Sequence, residues 1–176
     1  MTAYCLGLVF LTGLTHSHSP FGLYLMVLAM FHLSEYITTA LSNPQNLSFD
    51  SFLVNHSLQY WAAMLASWLE FVAINFFFPQ LKASLGLVTY TGLLVCLVGE
   101  IIRKLAMLHA GRNFNHLVQS HKSREHKLVT TGIYAWFRHP SYLGWFLWSV
   151  GTQVSLIWLQ IHIGSSLDHW MSGCAA

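Results

Sequence analysis

Residues 21–41 read FGLYLMVLAMFHLSEYITTAL, an apolar run with a single acidic residue, Glu35, and no lysine or arginine. An α-helix rises 1.5 Å per residue, so about 20 mostly apolar residues cross the hydrocarbon core of a bilayer. The run has that length, and its ends are marked. Ser19-Pro20 precedes it and Asn43-Pro44 follows it, and a proline cannot donate to the preceding helical turn. Working outward, three more stretches meet the same test: Leu58–Phe78, Leu85–Leu108 and Tyr142–Ile163. Pro79 closes the second, and the short link to the third predicts an antiparallel helical hairpin. Ala3–Leu14 is apolar but shorter. Without a basic flank or a cleavage site it reads as a shortened membrane segment rather than a signal peptide. The expected fold is therefore all-α: a polytopic transmembrane helical protein with four full spans and a short N-terminal helical segment, residues 1–176 forming one domain.

Composition agrees. Hydrophobic residues make up 55% of the chain and charged residues 8%, against roughly 25% charged in ordinary soluble domains. A net charge of +2 is too small to point to nucleic acid. Cys5, Cys96 and Cys174 are widely spaced and form no disulfide framework. Cys174 is third from the end, where a prenylation box needs its cysteine fourth.

The remaining charge is concentrated. Seven of the eight basic residues lie in or beside the hydrophilic stretch His109–Pro140: Arg103, Lys104, Arg112, Lys122, Arg124, Lys127 and Arg138. The positive-inside rule places residues 109–140 in the cytosol. Counting through the spans puts residues 42–57 on the same side and residues 15–19, 79–84 and the tail from Gly164 opposite. The sequons at Asn46 and Asn55 then face the cytosol and stay unmodified.

Four ionisable residues fall inside expected spans: His32 and Glu35 in the first, Glu70 in the second, Glu100 in the third. An ionised carboxylate at mid-bilayer costs at least ~2.5 kcal/mol on insertion scales, so such groups face a partner or a wet cavity. His32 and Glu35 share a helical face, and Glu100 has Arg103 and Lys104 within one turn. The plainer reading is helix-to-helix polar contact; the sharper one is a cavity for a polar headgroup. Eleven histidines, including His16, His18, His109, His116, His121 and His126, raise the question of metal. No ligand spacing accompanies them, so ordinary interfacial hydrogen bonding is expected and no metal.

The chemistry sits in Leu128–Gly144, LVTTGIYAWFRHPSYLG. Thr131-Gly132 reads as a turn, followed by an aromatic interfacial segment and a helix start at Arg138-His139-Pro140. Proline suits the first helical position, and the next N–H groups, at Ser141 and Tyr142, point out of the helix end, where a carboxylate or phosphate can bind. Tyr134, Trp136 and Tyr142 offer aromatic faces for anchoring or for a purine or cation. No Rossmann glycine fingerprint is present.

The run Gly132–Gly144 resembles the RHPxYxG signature of membrane-embedded methyltransferases. The blocks Phe31–Tyr36, Asn43-Pro44, Asp50–Ser57, Ser67–Phe71, Gly99–Lys104 and Asn113–His116 are together similar to the isoprenylcysteine carboxyl methyltransferase family. The likeness runs from about Cys5 to Gln153. It implies an enzyme of the endoplasmic reticulum membrane that moves a methyl group from S-adenosyl-L-methionine to the C-terminal carboxylate of a prenylated cysteine in CaaX proteins. The family's cofactor contacts fall on Gln119, His126, Lys127, Leu128, Val129, Tyr134, His139, Pro140, Ser141 and Tyr142, in a cytosolic cofactor-binding loop. No general base is needed, because a C-terminal carboxylate is already ionised at neutral pH. A phospholipid methyltransferase and a non-catalytic polytopic protein are the alternatives.

One departure is expected. The family continues with a further helix and a cytosolic tail carrying an arginine for substrate and a glutamate for cofactor. Residues 154–176 read as a divergent tail without either, so no catalytic residue is assigned and weak or absent activity is expected of this chain alone.

Overall fold

Ser19 starts the helix that the opening stretch forms. Its Oγ accepts the N–H of Gly22 at 3.1 Å, and Pro20 takes the first helical position. Asn43 ends the helix, its N–H reaching Thr39 O at 2.8 Å. The computed structural model describes residues 2–54, 58–77, 86–116 and 128–155. Its helices are α1 (Thr2–Thr15), α2 (Pro20–Ser42), α3 (Leu58–Phe77), α4 (Leu87–Ala110) and α5, helical over residues 140–155. Each falls on a stretch read as apolar helix above, with ends shifted by one or two residues. The far end of the fourth expected span, beyond residue 155, lies outside the described residues, as do the loop 79–84, Asn55 and the tail.

Consecutive helices run antiparallel. Gly13 of α1 packs against Gly22 and Met26 of α2. Phe21 of α2 stacks on Phe71 of α3, with ring centroids 4.6 Å apart. Two helices on, α2 and α4 run parallel: Glu35 meets Arg103, and Asn43 reaches Arg112 and Phe114. The C-terminal ends of α2 and α4 and the start of α5 therefore lie together at one end of the bundle.

The α4–α5 seam rests on glycine. Gly92 and Gly99 of α4 face Gly151 and Gly144 of α5, each pair one heptad apart. A Cβ on Gly99 would sit 2.5 Å from Trp148 N and 2.6 Å from Gly144 O. Small residues let two helix backbones approach this closely. Between α2, α3, α4 and α5 lies the core: Tyr24, Leu28, Phe31, Leu53, Met64, Cys96 and Trp148. Phe31 stacks on Trp148 at 4.0 Å between ring centroids, tying α2 to α5.

Among the described residues, Phe21–Ser42 is the helix both long and apolar enough to cross a bilayer, with mean hydropathy 1.3 over 22 residues. α4 has the length, but Glu100, Arg103 and Lys104 lower its apolarity. Those three residues turn inward or along the helix to partners, while the opposite face of α4 exposes Leu94, Leu97, Val98, Ile101, Leu105 and Leu108.

Candidate functional site

The cofactor-like segment begins at a turn that needs glycine. Gly132 has φ +62°, the left-handed region that side chains rarely adopt. A Cβ there would lie 2.9 Å from the His109 ring. The Ile133 N–H donates to His109 Nδ1 at 3.4 Å, so the C-terminal turn of α4 carries the turn. A single 3-10 turn, Gly132–Ala135, then presents Tyr134 half-buried. Burial pushes the Tyr134 phenol above its usual range, with the nearby Arg103 charge acting against the shift. The ring stays neutral at neutral pH.

Pro140 opens α5, as its fixed φ favours. Leu143 N–H is bonded back to His139 O at 3.1 Å. The N–H groups of Ser141 and Tyr142 precede that bond and have no partner within the helix. They carry the positive end of its dipole. His139 and Tyr142 are exposed there, their rings edge to face with centroids 6.1 Å apart.

These groups line a cavity of about 990 Å³. One end is polar, with Asn113, Asn115, His116, Arg138, His139 and Ser141. Following α5 from Pro140 to Gln153, roughly 20 Å at 1.5 Å per residue, Tyr24, Leu53, Met64, Trp145 and Trp148 supply an aromatic and apolar wall, joined by Ser149, Thr152 and Gln153 of α5. Leu53 reaches this wall because the segment after α2 folds back. His32 Nδ1 donates to Phe52 O at 2.8 Å, Tyr36 stacks on Phe52, and Leu53 itself has φ +54°.

Of the residues expected to contact cofactor, Tyr134, His139, Pro140, Ser141 and Tyr142 come together on this wall. Val129 is half-buried and Leu128 is 85% exposed; neither lines the cavity. Gln119, His126 and Lys127 lie outside the described residues. Sequence reasoning missed Arg103 and Asn113–His116 as wall residues. Asn113–His116 formed one of the quoted family blocks, but nothing in its spacing says that it faces a cavity.

Beside the polar end lies a buried charge cluster. Glu35 is fully buried and accepts from Arg103 Nε (2.6 Å), Arg103 Nη2 (2.9 Å), Lys104 Nζ (2.5 Å) and His116 Nε2 (2.9 Å). Glu100 takes Ser34 Oγ and, at 3.3 Å, Lys104. The sequence suggested that Arg103 would pair locally with Glu100; instead it crosses to α2, because its guanidinium fork matches both oxygens of the Glu35 carboxylate. Glu70 is exposed on α3.

Fold and site together define an all-α protein whose cavity gathers polar groups at the α5 start and a mainly aromatic and apolar wall beyond it. The profile of the isoprenylcysteine carboxyl methyltransferase (ICMT) family matches residues 91–170. The chain is 40% identical over 168 residues to protein-S-isoprenylcysteine O-methyltransferase of Saccharomyces cerevisiae, covering 89% of this chain and 70% of that protein. It is 59% identical over 140 residues to the human protein of the same name, covering 80% of this chain and 49% of the relative. A solved structure of the eukaryotic intramembrane Ras methyltransferase isoprenylcysteine carboxyl methyltransferase superposes with a TM-score of 0.80 at 50% identity, covering 94% of this chain and 61% of that one. The chain belongs to the isoprenylcysteine carboxyl methyltransferase family. It spans about half the length of the human relative. The family match also runs to residue 170, past the limit at Gln153 drawn from the sequence.

The cavity fits the donor such a family implies. Its volume falls at the upper end of the roughly 300–1,000 Å³ of small-molecule sites. Unpaired N–H groups at the α5 start suit a carboxylate, and Tyr134 and Tyr142 supply aromatic faces.

Proposed function

We propose that the chain carries S-adenosyl-L-methionine-dependent methyl transfer to the C-terminal carboxylate of prenylated cysteine in CaaX proteins, within the endoplasmic reticulum membrane. The observation that carries this is the cavity: a polar end at the α5 start continuous with a mainly apolar and aromatic shaft along α5. Two solvents meet there, as the reaction requires. In this reading α2, α3, α4 and α5 cross the bilayer and the ends of α2 and α4 face the cytosol. The outward apolar stripe of α4 and the inward position of the Glu35 cluster support it.

When bound, S-adenosyl-L-methionine would supply an electrophilic sulfonium methyl group to a carboxylate oxygen, chemistry that needs no proton moved. The chain's own work is placement. The Ser141 and Tyr142 N–H groups and His139 would hold the donor's carboxylate, and Tyr134, Pro140 and Tyr142 would wall its nucleoside part, with Gln119, His126, Lys127, Leu128 and Val129 assigned to the donor by the family resemblance alone. Tyr24, Met64 and Trp148 exclude water along the prenyl shaft. Stripping hydration from the acceptor carboxylate and aligning it with the methyl group supplies the rate enhancement.

The test is methyl transfer from labelled donor in proteoliposomes, with farnesylcysteine and phosphatidylethanolamine as competing acceptors. Labelled farnesylcysteine ester, formed weakly by this chain alone, is the expected product. Labelled phospholipid would assign a different acceptor, and donor-product binding without transfer would leave a non-catalytic membrane protein.

A further inference from the structure

The methyl-transfer mechanism above makes no use of Glu35, although it is fully buried and takes four hydrogen bonds. Four donors occupy the approximately four acceptor positions of a carboxylate. None is left for a ligand, so its role must run through its partners. Those partners lead to two separate parts of the cavity lining. Arg103, fixed by two bonds to Glu35, uses its remaining Nη1 to donate to Ser141 O at 3.1 Å, in the first turn of α5. His116, bonded to Glu35 through Nε2, belongs to the other part. That part is held a second time from α2, where Asn43 Nδ2 donates to Arg112 O at 3.2 Å and Phe114 O at 3.0 Å.

We propose that Glu35 is the positioning residue of the donor site: one carboxylate on α2, acting through Arg103 on the α5 start and through His116 on the segment 113–116, sets the separation of the two parts of the lining. This rests on the methyl-transfer reading. Phe31 reinforces the arrangement from below, with Arg103 Cζ 5.6 Å and Lys104 Nζ 5.1 Å from its ring centroid while its face stacks on Trp148 of α5. Neither arm touches the apolar shaft, so Glu35 governs the donor and leaves the prenyl group alone.

The experiment uses the full chain in lipid nanodiscs, with S-adenosylhomocysteine as probe. Glu35→Gln keeps the shape and removes the charge that orients Arg103. It is expected to weaken S-adenosylhomocysteine binding at least tenfold and to speed hydrogen exchange at residues 139–143, with the KM for farnesylcysteine within twofold of wild type. His116→Ala cuts one arm only; it should weaken binding about threefold and add little on top of Glu35→Gln, because both act through one carboxylate. The single-arm variant also provides the reading if Glu35→Gln does not fold. Unchanged probe affinity in both variants overturns the role of Glu35 alone. Equal losses in donor affinity and acceptor KM, with exchange raised throughout the bundle, overturn it too, since they mark a merely structural residue. Wild-type protein that fails to bind S-adenosylhomocysteine overturns the methyl-transfer reading itself, and this role with it.

Discussion

The two helix seams that frame the cavity are built in opposite ways. Between α4 and α5 the contact is backbone on backbone, with four glycines and no room for a Cβ. Between α2 and α3 it is side chain on side chain: Phe21 stacks on Phe71 and meets Trp68 edge-on at 6.4 Å between centroids. A glycine seam cannot slide or widen without losing its contacts, whereas aromatic rings can change rotamer and refill a gap. The rigid seam is continuous with the polar end, where small errors in position matter to group transfer. The adaptable seam adjoins the apolar wall through Tyr24, on which Phe21 also stacks; there, under the proposed function, a flexible chain needs volume more than alignment. Under the proposed function, one molecule combines a fixed donor site with an adjustable shaft.

Breaking the rigid seam should have the largest effect. Gly99→Leu puts side-chain atoms where Trp148 N and Gly144 O already stand. It should cost about 3 kcal/mol or more, above the usual range for overpacking because the obstacle is backbone. The measurement is a thermal melt in detergent with S-adenosylhomocysteine binding alongside. Both should be lost, and an unaltered melt would remove the rigid half of the comparison.

A middle-sized effect is expected where the rigid seam delivers its product. His139→Ala leaves the α5 start in place and removes one polar contact. It should weaken S-adenosylhomocysteine binding by about 1.5 kcal/mol, roughly tenfold, as for a hydrogen bond to a charged group. Calorimetry checks this, with melting temperature as control; full-strength binding would detach the helix start from the donor.

The smallest effect belongs to the adaptable seam. Phe71→Leu removes the stacked partner of Phe21 and should cost only about 0.5–1.5 kcal/mol in stability. Kinetics should place its influence in the KM for prenylated acceptors of different chain length, with donor affinity unchanged. A donor-affinity loss as large as that of His139→Ala would erase the distinction between the seams.

Much of this was legible in the residues. Apolar runs of about 20 positions bounded by Ser19-Pro20 and Asn43-Pro44 announced their helices, because length, apolarity and proline act locally. The turn at Gly132 and the helix start at Pro140 could be read for the same reason. The partner of Arg103 could not. Spacing along α4 pointed to Glu100, a neighbour within one helical turn, and only packing brought Glu35 from another helix into reach. Gly92, Gly99, Gly144 and Gly151 show their heptad interval in the sequence, yet the interval alone does not say which helices meet or in which direction.

Sequence alone therefore determined what each segment is: which runs are apolar helices, where they stop, and which family the RHPxYxG segment resembles. Tertiary structure alone decided what each segment faces. It placed Asn113–His116 and the α5 start in the lining of the same cavity and closed Glu35 with donors from α4 and from beyond it. The reason is physical: helix formation and breaking depend on residues within a few positions, while a cavity wall and a buried charge pair depend on groups that are distant in sequence and become neighbours only when helices pack.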